Sequence, residues 1–318
     1  MKIRRRDFIK GVAGSALLSA CASSGEALAR NNGRSPEALG MLYDATLCIG
    51  CQACMVGCKR ANNMPYEYTG DQRIWDNPLN LSAKTLNVIK KYEFTDDGEK
   101  DTAEGYSFIK RHCMHCAEPS CVSACPVSAM TKEPGTGIVR YNKELCIGCR
   151  YCQVACPFNI PKFEWESPTP EIVKCQLCSH LVAKGGIAAC CASCPTGASI
   201  FGPVELLYRE ARRRQNMSPG KYYEFPVAAI SGPSSGRVTR QKAAQYIPEI
   251  YGEDEVGGTQ IMYLSGVSFD KLGLPDLPDK SYAALSDGIQ YAIYKGMVYP
   301  LVVLLGLIYL VRKDEKEE

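Results

Sequence analysis

Residues 146–157 read Cys146-Ile147-Gly148-Cys149-Arg150-Tyr151-Cys152-Gln153-Val154-Ala155-Cys156-Pro157, that is, C-x-x-C-x-x-C-x-x-x-C-P. Three thiols two residues apart can wrap one face of a tetrahedral group of irons, and thiolate is the soft ligand that such a group prefers. The Ile147-Gly148 step supplies a tight loop, because glycine reaches backbone angles that other residues avoid. A loop of that shape turns N–H groups toward the sulfurs, where they help set a reduction potential. Pro157 stiffens the exit and withholds a donor. The same spacing recurs in Cys48-Cys51-Cys54-Cys58. Cys113-Cys116-Cys121-Cys125 widens one gap to four residues, and Cys175-Cys178-Cys190-Cys194 opens one to eleven. These four runs hold sixteen of the eighteen cysteines, and three of them end in Cys-Pro. They imply four [4Fe–4S] clusters, and a chain with four clusters is most simply a wire for electrons.

Two other uses of clustered cysteine compete with this one. Zinc sites employ two pairs of ligands, rarely three cysteines in succession followed by x-x-x-Cys-Pro. Disulfide scaffolds are mostly short chains without a proper core, whereas this chain has 318 residues and is 46% hydrophobic. The length suits one or two compact domains. A net charge of +3 makes no case for nucleic acid, so Arg212-Arg213-Arg214 reads as a solvated helix face. Only three histidines are present, which excludes a histidine-rich active site. His115, inside the second run, and His180, after Cys178, read as loop-packing residues; the alternative is a hydrogen bond to a sulfur. No C-x-x-C-H haem motif or G-x-x-x-x-G-K-[ST] phosphate loop occurs.

Both termini carry membrane-related signals. Residues 1–29 read as a twin-arginine export signal, Arg4-Arg5-Arg6-Asp7-Phe8-Ile9-Lys10, with Arg5 and Arg6 as the pair. That route exports proteins already folded around their cofactors. Cleavage is expected after Ala20, where Leu18-Ser19-Ala20-Cys21 resembles a lipobox that would lipidate Cys21, or after Ala29. Residues 289–312 are expected to form a transmembrane helix. Its stretch from Gly296 to Val311 is free of charge, and a span needs ~20 predominantly apolar residues. Lys295 would snorkel to the interface, and Pro300 is a candidate kink. A cytoplasmic tail, 313–318, would follow.

Between these ends, residues 40–215 hold the four runs, with an insert at 63–110. Strands are expected at Gly137–Tyr141 and Ala198–Phe201. A helix is expected at Val204–Gln215, with Val204, Leu207, Tyr208 and Ala211 on its apolar face. Residues 216–288, rich in glycine and proline, read as an irregular extension that packs on a surface or meets a partner.

The repeated run is that of bacterial ferredoxins, in which three close cysteines hold one cubane and the fourth reaches the other cluster of a pair. An α+β fold follows, with two paired bacterial-ferredoxin-like modules, inserts and one C-terminal transmembrane helix. Crossed ligation pairs the second run with the third and the first with the fourth. The inner clusters take Cys113, Cys116, Cys121 with Cys156, and Cys146, Cys149, Cys152 with Cys125. The outer clusters take Cys48, Cys51, Cys54 with Cys194, and Cys175, Cys178, Cys190 with Cys58. Cys190 is preferred over Cys191 because Cys190-x-x-x-Cys194 repeats the gap of the other runs, leaving Cys191 a spare buried thiol.

The four runs in this order resemble the four-cluster subunits of membrane-bound oxidoreductases, including the beta subunits of formate dehydrogenase and dimethyl sulfoxide reductase. Leu81–Glu93 (LSAKTLNVIKKYE), Gly257–Leu277 (GGTQIMYLSGVSFDKLGLPDL) and Tyr294–Leu301 (YKGMVYPL) resemble the HybA-type subunits of hydrogenase-2. The resemblance implies a non-catalytic electron-transfer subunit at the periplasmic face of the inner membrane. It implies [NiFe] hydrogenase small and large subunits and an integral membrane quinone-reactive subunit as partners. A formate dehydrogenase beta subunit is the alternative. The lipobox-like Cys21 departs from the usual leader of such subunits.

Overall fold

The computed structural model describes residues 34–70, 73–95 and 98–314. The twin-arginine segment, both cleavage positions, Cys21 and residues 315–318 lie outside them. In chain order the elements are β1 (Leu39–Asp44), α1 (Ala53–Ala61), β2 (Val88–Glu93), β3 (Tyr106–Arg111), α2 (Ser120–Ser123), β4 (Met130–Lys132), β5 (Val139–Tyr141), α3 (Tyr151–Ala155) and β6 (Lys162–Phe163). Then follow β7 (Ile172–Val173), α4 (Ser179–Val182), α5 (Ala189–Ala192), β8 (Ser199–Pro203), α6 (Val204–Gln215), β9 (Tyr222–Pro226), β10 (Ala228–Ala229), β11 (Val238–Lys242), β12 (Ile261–Leu264) and α7 (Tyr282–Asp314). A compact unit spans Gly33–Ala283; residues 284–314 fall in a separate one.

Two strand pairings decide which runs meet. β1 leads into the first run and β8 leaves the fourth. They pair antiparallel, Tyr43 opposite Ser199 and Leu39 opposite Pro203. Met41, Leu42 and Tyr43 are successive buried apolar residues, the mark of a strand covered on both faces. β4 leaves the second run and β5 enters the third, and they form a hairpin with Met130 opposite Tyr141. The short helices repeat the scheme: α1 packs on α5, and α2 packs on α3. The expected strands appear as β5, two residues shorter at its start, and β8, displaced by one residue at its start and two at its end, and the α6 boundaries agree with those expected.

The extension departs from expectation. Residues 216–288 were expected to be irregular, yet they contribute β9 to β12, and β12 completes the main sheet in the order β10-β8-β1-β12. β12 runs parallel to β1, Met41 opposite Ile261 and Asp44 opposite Leu264. Ile261-Met262-Tyr263-Leu264 is a short unbroken apolar run, and all four residues are buried. Such a run is the usual form of a fully buried strand; the surrounding glycines and prolines punctuate it rather than abolish it. The insert at 63–110 likewise contributes structure, the β2–β3 hairpin, whose Phe108, Ile109 and Lys110 are buried and lead into the second run.

A second correction concerns the arginine run. Arg212 and Arg213 are exposed, but Arg214 has no exposed surface. α6 turns its Val204, Leu207 and Ala211 face inward, with Tyr208 packed at the edge, and Arg214 lies on that side. Its Nη1 donates to Asp44 Oδ2 at 2.9 Å and its Nε to Glu210 Oε1 at 2.8 Å. Asp44 closes β1, so the pair ties the helix after the fourth run to the strand before the first.

α7 is one continuous helix through Pro300, and Tyr282–Tyr309, 28 residues, is long and apolar enough to cross a membrane. It begins seven residues earlier than the expected span. Its apolar side chains, Ile289, Ile293 and Leu301 among them, are exposed rather than packed as a core helix.

Candidate iron–sulfur sites

Each run opens with the same backbone turn. The residue two past its first cysteine has positive φ: Gly50 at 68°, His115 at 47°, Gly148 at 71° and Leu177 at 50°. The turn aims amide N–H groups at sulfur, as the sequence implied. Gly148 N donates to Cys146 Sγ and Leu177 N to Cys175 Sγ, both at 3.4 Å. The closing cysteines gain donors from further along, because the proline after them has none. Ala129 N reaches Cys125 Sγ at 3.2 Å and Ser199 N reaches Cys194 Sγ at 3.4 Å. Asn62 Nδ2 approaches Cys58 Sγ at 3.6 Å.

The two glycine loops differ in their surroundings. A methyl group on Gly50 would run into the Phe108 ring and Trp75 Nε1, whereas on Gly148 it would meet only Phe163, at 3.9 Å. Both substitutions carry the left-handed penalty of about 1 kcal/mol. Gly50→Ala adds overpacking of about 1–3 kcal/mol. Gly50→Ala is therefore expected to lower the denaturant midpoint well below that of Gly148→Ala. Equal midpoints would refute the steric part.

Two cavities each bring together cysteines of two different runs. One cavity is lined by Cys58, Cys175, Cys178 and Cys190, together with Asn62, Asn87 and His112. A second is lined by Cys125, Cys146, Cys149 and Cys152. Among the remaining cysteines, thiols of different runs act on one another. Burial raises Cys48, and Cys194 adds to the rise. Burial raises Cys54, and Cys48 and Cys194 add to it although Lys110 opposes. Cys51 lies in the same loop and is exposed. Cys116 is raised by burial, then by Cys113, Cys156 and Cys121. Within the lined cavities, burial with Cys190 and Cys178 pushes Cys58 up to about 12. Burial with Cys125, Cys146 and Cys149 pushes Cys152 up to about 11.

Cysteines of different groups are also linked electrostatically. Cys54 feels Cys190 as well as Cys48 and Cys194. Cys175 in turn feels Cys113, and Cys121 feels Cys152. In every case burial is the larger cause. Four thiols held so close resist ionising beside one another, and iron removes that penalty by binding them as thiolates. All seventeen described cysteines are free, which leaves no disulfide framework among them. No three described His, Cys, Asp or Glu side chains converge on a single-ion site; the sulfurs instead line cavities. The donor set thus suits a cubane.

Cys190 and Cys191 are both buried, and Cys190 is the one of the two that lines the cavity with Cys58, Cys175 and Cys178. The hydrogen bond from Cys191 pulls the Cys190 thiol down to about 5 against its burial, with help from Lys110. His115 has no exposed surface, and its Nδ1 accepts from Val139 N at 3.0 Å. His180 Nε2 lies 3.0 Å from Ala61 O. Both rings bond to the backbone, the plainer of the two readings.

The sequence carries no local signal for the clamp on the second run. Ala117 N donates to Gly258 O at 2.9 Å, Gln260 N to His115 O at 3.1 Å and Tyr263 Oη to Lys110 O at 2.8 Å. Gly257-Gly258-Thr259 was visible only as part of a resemblance. Nor does the sequence signal Lys110 and Lys174, whose side chains reach the cysteines from within the core.

A family model described as a 4Fe-4S dicluster domain matches residues 105–204. The Hydrogenase-2 operon protein HybA of Escherichia coli O157:H7 is 44% identical over 322 aligned positions, covering 99% of this chain and 97% of that protein. The iron-sulfur subunit of the nitrate-inducible formate dehydrogenase of Escherichia coli K12 is 32% identical, covering 82% of this chain and 78% of its own length. The formate dehydrogenase-O iron-sulfur subunit of the same strain is 33% identical, covering 84% and 79%.

Proposed function

This chain belongs to the HybA-type family of iron–sulfur electron-transfer subunits, and from that membership we propose that it relays electrons from a periplasm-facing [NiFe] hydrogenase to the membrane quinone pool. The near full-length similarity to a hydrogenase-2 operon protein carries this reading. Sixteen cysteines hold four [4Fe–4S] clusters in crossed quartets. The cavities lined by Cys58 with three cysteines of the fourth run, and by Cys125 with three of the third, support that assignment. When bound, each cluster takes up and returns one electron. The chain performs no bond chemistry of its own; its residues hold the sulfurs, exclude water and direct N–H groups at them.

The order of carriers follows the links between quartets. It starts at Cys48/Cys51/Cys54/Cys194, passes Cys58/Cys175/Cys178/Cys190 and Cys113/Cys116/Cys121/Cys156, and ends at Cys125/Cys146/Cys149/Cys152. The two terminal loops come to the surface, Ile49 beside exposed Cys51 at one end and Ile147 at the other. Those ends serve the partners: the hydrogenase small subunit, bound to its large subunit, and an integral membrane quinone-reactive subunit. α7 anchors the protein in the inner membrane with a single pass, and its length and composition support that role. The Arg5-Arg6 signal takes the folded chain to the periplasmic side.

The test is to isolate the tagged chain with its complex from detergent-solubilised membranes without air and assay dye reduction. Hydrogen-driven activity with copurifying nickel is expected. Formate-driven activity with molybdenum would instead make the chain a formate dehydrogenase beta subunit. Neither activity, despite a full load of iron and sulfide, would overturn the assignment of partner.

A further inference from the structure

Lys110 sits on β3, and its side chain has no exposed surface. Its Nζ has a thioether, Met41 Sδ at 3.4 Å, and a hydroxyl, Ser199 Oγ at 3.3 Å, as neighbours, and it also hydrogen-bonds to the Cys190 thiol. The other two buried lysines near the cysteines are differently placed, with carbonyl acceptors: Val139 O, 2.5 Å, and Cys175 O, 3.0 Å, for Lys174, and Pro65 O, 2.8 Å, and Lys84 O, 2.6 Å, for Lys59. No described carboxylate forms an ion pair with Lys110; the negative groups that act on it are Cys190, Cys54 and Cys191. It acts in return on Cys58 and Cys178.

A buried ammonium without a counter-ion costs several kcal/mol, so the fold would not keep one there unless something anionic stood beside it. Two quartets of thiolates, one containing Cys54 and the other Cys190, flank it on the reading given above. A cluster gains negative charge when it is reduced, and a fixed cation in a low-dielectric surround favours the more negative form. We propose that Lys110 is the counter-cation shared by the two outer clusters and holds both of their reduction potentials upward. Electrons entering the wire are thereby drawn to the half of the protein built from the first and fourth runs. Lys110 is a tuning residue: it acts through the clusters and binds neither. The inference rests on the ligand assignment of the preceding section.

The experiment is an EPR-monitored redox titration of the complex purified without air, with iron and sulfide counted in the same samples. The variants are Lys110→Met, Lys110→Gln and Lys110→Arg. The expected result is that two of the four midpoint potentials move negative in K110M and K110Q, the other two stay, and K110R restores the first pair. Full iron and sulfide with all four potentials unmoved in the neutral variants overturns the proposal. Should the neutral variants lose iron, full loading of K110R supports it, because charge is then what the site requires. The same loss in K110R overturns it, because lysine's shape rather than its charge would be at stake. A wild-type complex holding fewer than four clusters would sink the ligand assignment instead.

Discussion

Cys58→Ala and Cys175→Ala are expected to extinguish the same cluster, although the two residues belong to different runs. Cys58 closes the first run on α1, yet it shares a cavity with Cys175, Cys178 and Cys190. Each substitution should remove about a quarter of the iron, one cubane of four, and one and the same EPR signal. Cys51→Ala should remove a different signal. Cys125→Ala and Cys152→Ala form the matching pair for the inner module. Loss of the cluster at Cys58 breaks the line at its second carrier, so hydrogen-driven quinone reduction should fall by orders of magnitude. Dye reduction at the catalytic subunit itself should persist. If Cys58→Ala and Cys51→Ala instead remove one common signal, ligation is sequential and the crossed reading is wrong.

Arg214→Ala should destabilise the folded protein by about 3–5 kcal/mol, the cost of stranding buried charge. Asp44, with no exposed surface, would keep only Thr46 and Tyr246 as donors; Tyr246 Oη reaches its Oδ2 at 2.8 Å and Thr46 N its Oδ1 at 3.0 Å. The network joins β1, α6 and the extension, so its loss should loosen the outer pair of runs first. Denaturant midpoints followed by cluster absorbance and by far-UV signal would measure it, and a change under 1 kcal/mol would refute it. The pH dependence follows with a definite sign. Burial alone would raise Glu210, but hydrogen bonds from Arg213 and the charge of Arg214 outweigh it and hold the carboxyl low. A depressed carboxylate adds stability above its unfolded value of about 4.3, and that stability is lost as pH falls through the folded value. Acidification should thus erode the wild type by this contribution and leave Arg214→Ala less affected.

Legibility tracked how local each determinant is. The cysteine runs, the β5 and β8 strands and α6 with its Val204, Leu207 and Ala211 face all rest on spacing within a dozen residues. β12 was equally short and apolar, but Gly257, Gly258 and Gly266 around it concealed a strand whose partner, β1, lies at the other end of the chain. Arg214 was read with its exposed neighbours because its counter-charge, Asp44, precedes the first run. Lys110 was passed over inside an insert for the same reason: its surroundings come from β1, the fourth run and the residue that opens β8.

The sequence alone was enough for the chemistry. Thiolates repeated at these intervals suit iron–sulfur clusters whatever the rest of the chain does, since the cysteines of each run lie close together along the backbone. Tertiary structure decided the surroundings of those sulfurs. The β1–β8 and β4–β5 pairings decide which runs share a cavity. The medium around the clusters is likewise a tertiary property. A lysine or arginine can stay charged in the core only where distant segments deliver its counter-charge, and spacing along the chain does not encode that distance.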